Sequence, residues 1–257
     1  MRDERAPHST PGPGALPDSQ TGHGCTAGRE PVDRAVTRLL GAARATAGFM
    51  PDEEGVALLL AARRAAQLGL GPVVEVGSYL GRSTLYLAAG LVAGGSCTRP
   101  GARGDERPML LYCVDHHRGS EEMQTGWEHH DASLVDPATG MMDSLPSWRS
   151  TISRAGVEGF VVAVVGDSAA VAADWSTPCS LVLLDGGHGA QVAWADFRGW
   201  ERHVAPGGLL AIHDVFPDPA DGGRPPYECF TAAISSGRFV EEGPASRGSL
   251  RVLRRRS

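Results

Sequence analysis

The sequence predicts an α/β fold built on a doubly wound, mostly parallel sheet of seven strands. Three observations carry this. Short apolar runs recur along the chain: VVEV (73–76), MLLYCVD (109–115), FVVAVVG (160–166), LVLLD (181–185) and GLLAIHD (208–214). Segments of helical spacing separate them, the pattern of a parallel sheet covered on both faces. Chemically active side chains gather at the ends of these runs: Glu75, Asp115, Asp167, Asp185, His188, His213 and Asp214. Such sheets bind ligands outside the carboxyl ends of their strands, so the clustering marks a candidate site.

Each element has a local reason. Residues 1–29 carry repeated Pro, Gly, Ser, Thr and Asp, with too little apolar surface to order themselves, and read as a disordered tail. One domain is expected over 30–257. Its first part, 30–70, reads as a helical cap. Apolar spacing over 32–47 gives one helix. Met50-Pro51-Asp52-Glu53-Glu54 starts a second, with Pro in the first turn and acids at the positive end of the dipole. Gly69, Gly71 and Pro72 stop it. The strand at 73–76 leads through Gly77 to a helix over 83–92. A polar loop (94–108) precedes the second strand. The long polar stretch 116–146 reads as an acceptor-binding loop or lid, because loops of this length are often functional. A helix over 147–155, a strand, a short helix over 168–173, a strand, a helix over 191–203 and a strand follow. A helix over 227–235 and strands near Phe239 and 250–253 close the chain.

Composition narrows the function. With 257 residues, 42% of them hydrophobic and 21% charged, the chain is soluble and large enough for a real core. It contains no lysine, so all 24 of its Lys+Arg total are arginine. That excludes a lysine Schiff base, lysine-bound pyridoxal phosphate and a lysine base. It also excludes a Walker-type phosphate loop. A net charge of −6 argues against a nucleic-acid binder as a whole, although Arg251, Arg254, Arg255 and Arg256 make a short basic end. Cysteines 25, 97, 113, 179 and 229 are scattered and form no CxxC pair, which argues against disulfide or zinc scaffolds. No stretch reaches the roughly 20 apolar residues of a membrane span, and no apolar signal core is seen. A cytoplasmic location is expected.

Five motifs carry chemistry. In EVGSYLGRST (75–84), Gly77 and Gly81 permit close approach of a ligand to the backbone, or make an ordinary tight turn. Asp115 ends the second strand, where an acid bonds ribose hydroxyls in nucleotide-binding sheets. Gly166-Asp167-Ser168 either caps the next helix or touches a ligand. LLDGGHG presents Asp185 and His188, and IHD presents His213 and Asp214. Two acids after adjacent strands, with His213 beside one, could hold a hard cation such as magnesium. His188, in a glycine-rich turn, is the best-placed proton acceptor. Within the lid, Glu121, Glu122, Trp127, Glu128, His129, His130 and Asp131 suit sugar recognition, though the His-His-Asp run also reads as a metal site or solvated surface. Trp148, Trp175, Trp194 and Trp200 read as packing or subunit contacts.

In the order EVGSYLGRST, CVD, GDS, LLDGGH, IHD, the chain resembles the class I S-adenosylmethionine-dependent methyltransferases over about residues 50–254. It is most similar to small-molecule O-methyltransferases of bacterial sugar and antibiotic pathways. Among these it resembles the actinobacterial enzymes that methylate mannosides in methylmannose polysaccharide synthesis. The resemblance implies a Rossmann-like sheet. It also implies roles. Glu75, Gly77, Ser78 and Gly81 would line the methionine part of the cofactor, with Ser83 at its carboxylate. Asp115 would hold the ribose, with His116 flanking the adenine and Asp167 and Ser168 at its edge. Asp185 would border the cofactor and, with His213 and Asp214, bind magnesium. Related enzymes read Asp-Asn or Asp-Asp where this chain has His213-Asp214. Glu121, Glu122, Trp127, His129 and His130 would meet the acceptor. The implied reaction is methyl transfer to a saccharide hydroxyl, the 1-OH of a short mannose or 3-O-methylmannose oligomer, with His188 as base, in a homodimer. Alternatives are a natural-product glycoside or phenol as acceptor, and a non-catalytic cofactor-binding partner protein. Many catechol-type relatives use a lysine near the metal as proton acceptor. Here that acceptor must be a histidine, a carboxylate or metal-bound water.

Overall fold

Seven strands pair into one sheet in the order β3-β2-β1-β4-β5-β7-β6. They are β1 (Val73–Val76), β2 (Leu111–Asp115), β3 (Val161–Val165), β4 (Cys179–Leu184), β5 (Val204–Ile212), β6 (Phe239–Glu241) and β7 (Arg251–Arg255). The first five run parallel, and β7 inserts antiparallel between β5 and β6. The computed structural model describes residues 30–95, 108–127, 129–218 and 220–257. The expected tail (1–29), with Cys25, lies outside the described residues, as do Cys97, most of the polar loop at 94–108, and Glu128.

Alternation within each strand splits the core in two. Val73, Leu111, Cys113, Leu181 and Leu183 face α1 (Val32–Ala45), α2 (Asp52–Leu68), α3 (Arg82–Ala93) and α4 (Leu145–Ala155). Val74, Val76, Val114, Val182 and Leu184 face α5 (Ser168–Asp174), α6 (Ala190–Trp200) and α7 (Arg224–Ser235). Both faces are therefore covered, which is why these strands read as unbroken apolar runs. Trp148 and Trp200 are buried core residues, as their helical spacing suggested. The described cysteines, Cys113, Cys179 and Cys229, are free and buried.

Differences from the sequence reading have local causes. β5 starts at Val204 rather than Gly208, because the strand passes through Pro206-Gly207-Gly208 with a register shift and then resumes. α4 starts at Leu145 because Pro146 fits its first turn. The long loop over 116–146 contains 3₁₀ turns at Glu121–Met123 and Ala132–Leu134. Arg251, Arg254 and Arg255 of the basic end belong to β7: Arg254 pairs with Glu242 at 2.6 Å, and Arg255 donates to the carbonyls of Arg202 and Val204. No helix among the described residues is long and apolar enough to cross a membrane.

The strand order reverses between β1 and β4, which places a crevice at their carboxyl ends.

Candidate active site at the sheet switch point

The crevice begins where β1 ends. Gly77 turns at φ +83°, and a Cβ there would collide with the carbonyl oxygen of Asp185. Only glycine lets the turn after β1 pack this tightly on the turn after β4. The next two residues aim their backbone at β2. Ser78 and Tyr79 donate their N–H groups to Asp115 Oδ2 at 2.8 and 3.0 Å, and His117 donates its N–H to Oδ1 at 2.7 Å. Asp115 thus ties two rim turns together. Its side chain is 13% exposed and Oδ1 accepts one of these bonds, so capacity remains for a ligand hydroxyl. His116 is exposed beside it, whereas His117 is buried, contacts Ser144 Oγ through Nδ1 at 2.8 Å, and is held below the usual histidine range by burial.

Among the described residues, three that are not glycine adopt left-handed backbone: Tyr79 (φ +45°), His117 (φ +57°) and Asp214 (φ +55°). All three stand in turns directly after β1, β2 and β5. Strain of this kind persists where the surrounding structure enforces it, and it concentrates at functional sites.

Other residues singled out in the sequence take different places. Glu75 is completely buried and accepts from Thr84 Oγ1 at 2.6 Å, so it braces β1 against α3. Burial pushes its carboxyl up to about 7, and its Oε1 has no partner. Ser83 is buried in the same helix, and Gly81 caps that helix at φ +95°. Asp167 caps α5 by accepting from Ala170 N at 2.8 Å, which realises the capping alternative. Ser168 bonds Asp196 of α6 through its hydroxyl. Asp196 was not singled out, although it stands four residues before the buried Trp200 on one helix face. Burial pushes its carboxyl up to about 6.

Across the crevice, β4 and β5 deliver Asp185, His213 and Asp214, whose ligand atoms lie within 4.8 Å of one another. His213 Nδ1 is 2.8 Å from Asp185 Oδ1 and 3.2 Å from Asp214 Oδ2. Its Nε2 is 2.6 Å from Glu54 Oε2. Glu54, buried in α2, also accepts from Ser249 N at 2.6 Å. The sequence reading took Glu54 only as a helix-dipole acid, because its partners lie far away in the chain. Burial opposes charge on His213, but the acids around it outweigh burial and raise its pKa well above the ordinary value. Burial likewise opposes charge on Asp214, yet His188 and His213 hold its carboxyl below the usual range.

His188 Nε2 meets Asp214 Oδ2 at 2.6 Å, and its Nδ1 meets Glu122 Oε2 at 3.2 Å. The Asp214 contact, partly offset by burial, raises its pKa to about 9. As it stands the ring is a cation at neutral pH, so it can accept a proton only after these acids loosen their hold.

Glu122 brings the 116–146 loop to this cluster. Further along the loop, the His129 ring lies 4.8 Å from Phe49, which stacks on Tyr79 at 5.6 Å. Phe49 is 53% exposed and was not singled out by the sequence. His130 turns elsewhere, its Nδ1 facing the Met123 carbonyl at 3.2 Å. Asp131 caps its own turn through Ser133 N. Glu121 and Trp127 remain exposed. The 116–146 loop therefore reaches the β1 turn through His129 and Phe49, and the β4 turn through Glu122.

Comparisons with known proteins agree with this architecture. The fold is similar to that of a methyltransferase from Podospora anserina, PaMTH1, in a structure bound to S-adenosylhomocysteine (TM-score 0.55, 12% identity, 87% of this chain and 88% of that one). It is similar to the O-methyltransferase TomG from Streptomyces achromogenes, involved in tomaymycin synthesis and solved with S-adenosylmethionine (0.53, 15%, 88% and 91%). An O-methyltransferase from Bacillus cereus in complex with S-adenosylhomocysteine is also similar (0.51, 16%, 91% and 94%). Residues 74–215 match the family described as Methyltransferase domain. That match spans more than half of the sequence and every rim turn described above, and the chain belongs to the methyltransferase-domain family.

Proposed function

We propose that this protein is an S-adenosylmethionine-dependent O-methyltransferase whose acceptor is a saccharide hydroxyl, with the 1-OH of a mannose or 3-O-methylmannose oligomer favoured. The observation that carries the reading is the pairing of two sites across one crevice. Asp115 has spare acceptor capacity for vicinal hydroxyls, and the Asp185–His213–Asp214 group lies opposite, beside His188.

The residues present fit the cofactor. Asp115 would hold its ribose, exposed His116 would flank its adenine, and the Gly77–Ser78 turn would accept its methionine end. When bound, S-adenosylmethionine supplies a methyl group on a sulfonium, ready for in-line displacement. The residues also fit a cation, since buried His213 Nδ1 lacks an aligned partner and faces two acids. A divalent ion held there, magnesium by expectation, would supply Lewis-acid activation of an acceptor hydroxyl. His188, when Asp214 loosens its hold, takes the hydroxyl proton. Glu122 orients that ring from the lid, and Glu121, Trp127 and His129 border the acceptor, with His130 bracing the same loop. A homodimer is part of the same proposal.

The exposed ring stack of Phe49, Tyr79 and His129 favours a second reading, a planar phenolic acceptor. TomG, similar in fold, is involved in tomaymycin synthesis. Incubation with methyl-labelled cofactor and a panel of mannosides, glycosides and phenols separates the two. Label on a mannoside hydroxyl is expected, and His188→Ala should abolish it while cofactor affinity stays nearly unchanged. Cofactor binding with no transfer to any hydroxyl would favour a non-catalytic partner protein instead.

A further inference from the structure

We infer that Glu54 is a positioning residue for the cation site, and that the site it shapes prefers a first-row transition ion to magnesium. This rests on the reading of Asp185, His213 and Asp214 as a cation site and goes beyond it in naming the ion class and the residue that sets it.

Glu54 reaches the site from the helical cap, not from the sheet. Its two oxygens are fixed from below. Ser249 donates its N–H to Oε1 at 2.6 Å, and its hydroxyl lies 3.2 and 3.1 Å from the two oxygens. Gly248, at φ +50°, leaves the space this carboxylate fills, since a Cβ there would collide with Oε1. Held so, Oε2 stands 2.6 Å from His213 Nε2. A carboxylate at that distance requires a proton on Nε2. With Nε2 protonated by this contact, Nδ1 is the nitrogen whose proton a cation would displace. Carboxylate–histidine pairs of this kind orient and strengthen metal-ligating imidazoles.

Nδ1 is the second observation. His213 is 4% exposed, and Nδ1 has no aligned hydrogen-bond partner although Asp185 Oδ1 lies 2.8 Å away and Asp214 Oδ2 3.2 Å. A buried polar atom without a partner is costly and rare. Here one nitrogen and two carboxylate oxygens converge, and a cation bonded by all three satisfies them together. The donor set decides the ion. Magnesium favours all-oxygen octahedra and keeps its waters. An imidazole donor shifts preference toward first-row transition ions.

The test uses the full chain with metal alone, so it needs neither methyl donor nor acceptor. Titration with MnCl2 and MgCl2, followed calorimetrically, should show manganese binding at least tenfold tighter. Pulsed electron paramagnetic resonance of the manganese-loaded protein should show coupling to one imidazole nitrogen, retained in His188→Ala. Glu54→Gln should weaken manganese about 10–100-fold, the usual effect of losing such an outer partner. Equal affinity for the two ions, no metal binding, or no nitrogen coupling in the wild-type protein would overturn the ion preference. Coupling lost in His188→Ala would overturn the assignment to His213, and unchanged affinity in Glu54→Gln would overturn the role of Glu54. An inactive enzyme that still binds manganese through nitrogen would instead count against the methyl-transfer reading alone.

Discussion

Around β1 and β2 the rim acid is satisfied by backbone: three N–H groups converge on Asp115. Around β4 and β5 the rim acids are satisfied by other side chains, in the chain Glu54–His213–Asp185/Asp214–His188–Glu122. Backbone donors are fixed by the fold and cannot be traded, so they suit a ligand that must always sit the same way. A side-chain network can exchange partners and protons, so it suits a site where bonds change. On the proposed function, the contrast would put holding in one half of the crevice and chemistry in the other.

The sharpest way to break that division is Asp214→Ala. It removes the partner of His188 and one of the acids around His213. The expected loss is about 10²–10⁴-fold in kcat, the range for a positioned proton-transfer group, with S-adenosylhomocysteine affinity changed only a few-fold. A matching loss in both quantities would show that the halves act as one. Asp115→Ala should do the reverse on a smaller scale. Losing charge-assisted hydrogen bonds should weaken cofactor binding about 10–100-fold by calorimetry, with saturated turnover reduced much less.

Asp196, bonded to Ser168 and belonging to neither network, should leave activity nearly untouched and register in stability. Its folded carboxyl releases a proton near 6 instead of near the ordinary 3.8. The folded state thus holds that proton more firmly than the unfolded chain. The stabilisation is complete below the unfolded pKa and is lost as pH rises through about 6. Asp196→Asn avoids the loss and should raise Tm by about a few degrees at pH 8, with the advantage fading toward pH 4. An advantage independent of pH would mean that the buried charge is not the cause.

Much of the architecture was legible because period-two and helical patterns are local. VVEV is β1 to the residue, and Asp115, Asp185, His188, His213 and Asp214 were found because they follow apolar runs. What remained hidden depends on distance along the chain. Glu54 meets Ser249 across 195 residues, and nothing near it in sequence distinguishes it from any acid in a first turn. Phe49 sits in a short inter-helix link, where one aromatic carries no pattern. Asp167 was visible but ambiguous, since capping and ligand contact call for the same residue type; the bond to Ala170 N shows the capping role.

The contact between Glu122 and His188 couples the 116–146 loop to the proton on the ring. Glu122 is one of the negative charges that raise the His188 pKa. By linkage the effect runs both ways: were the loop to act as the proposed lid, a protonated ring would favour its closure and a neutral ring its release by the same free energy. Proton uptake from the acceptor would then tighten the segment that covers it, and loss of that proton to solvent would loosen it for departure.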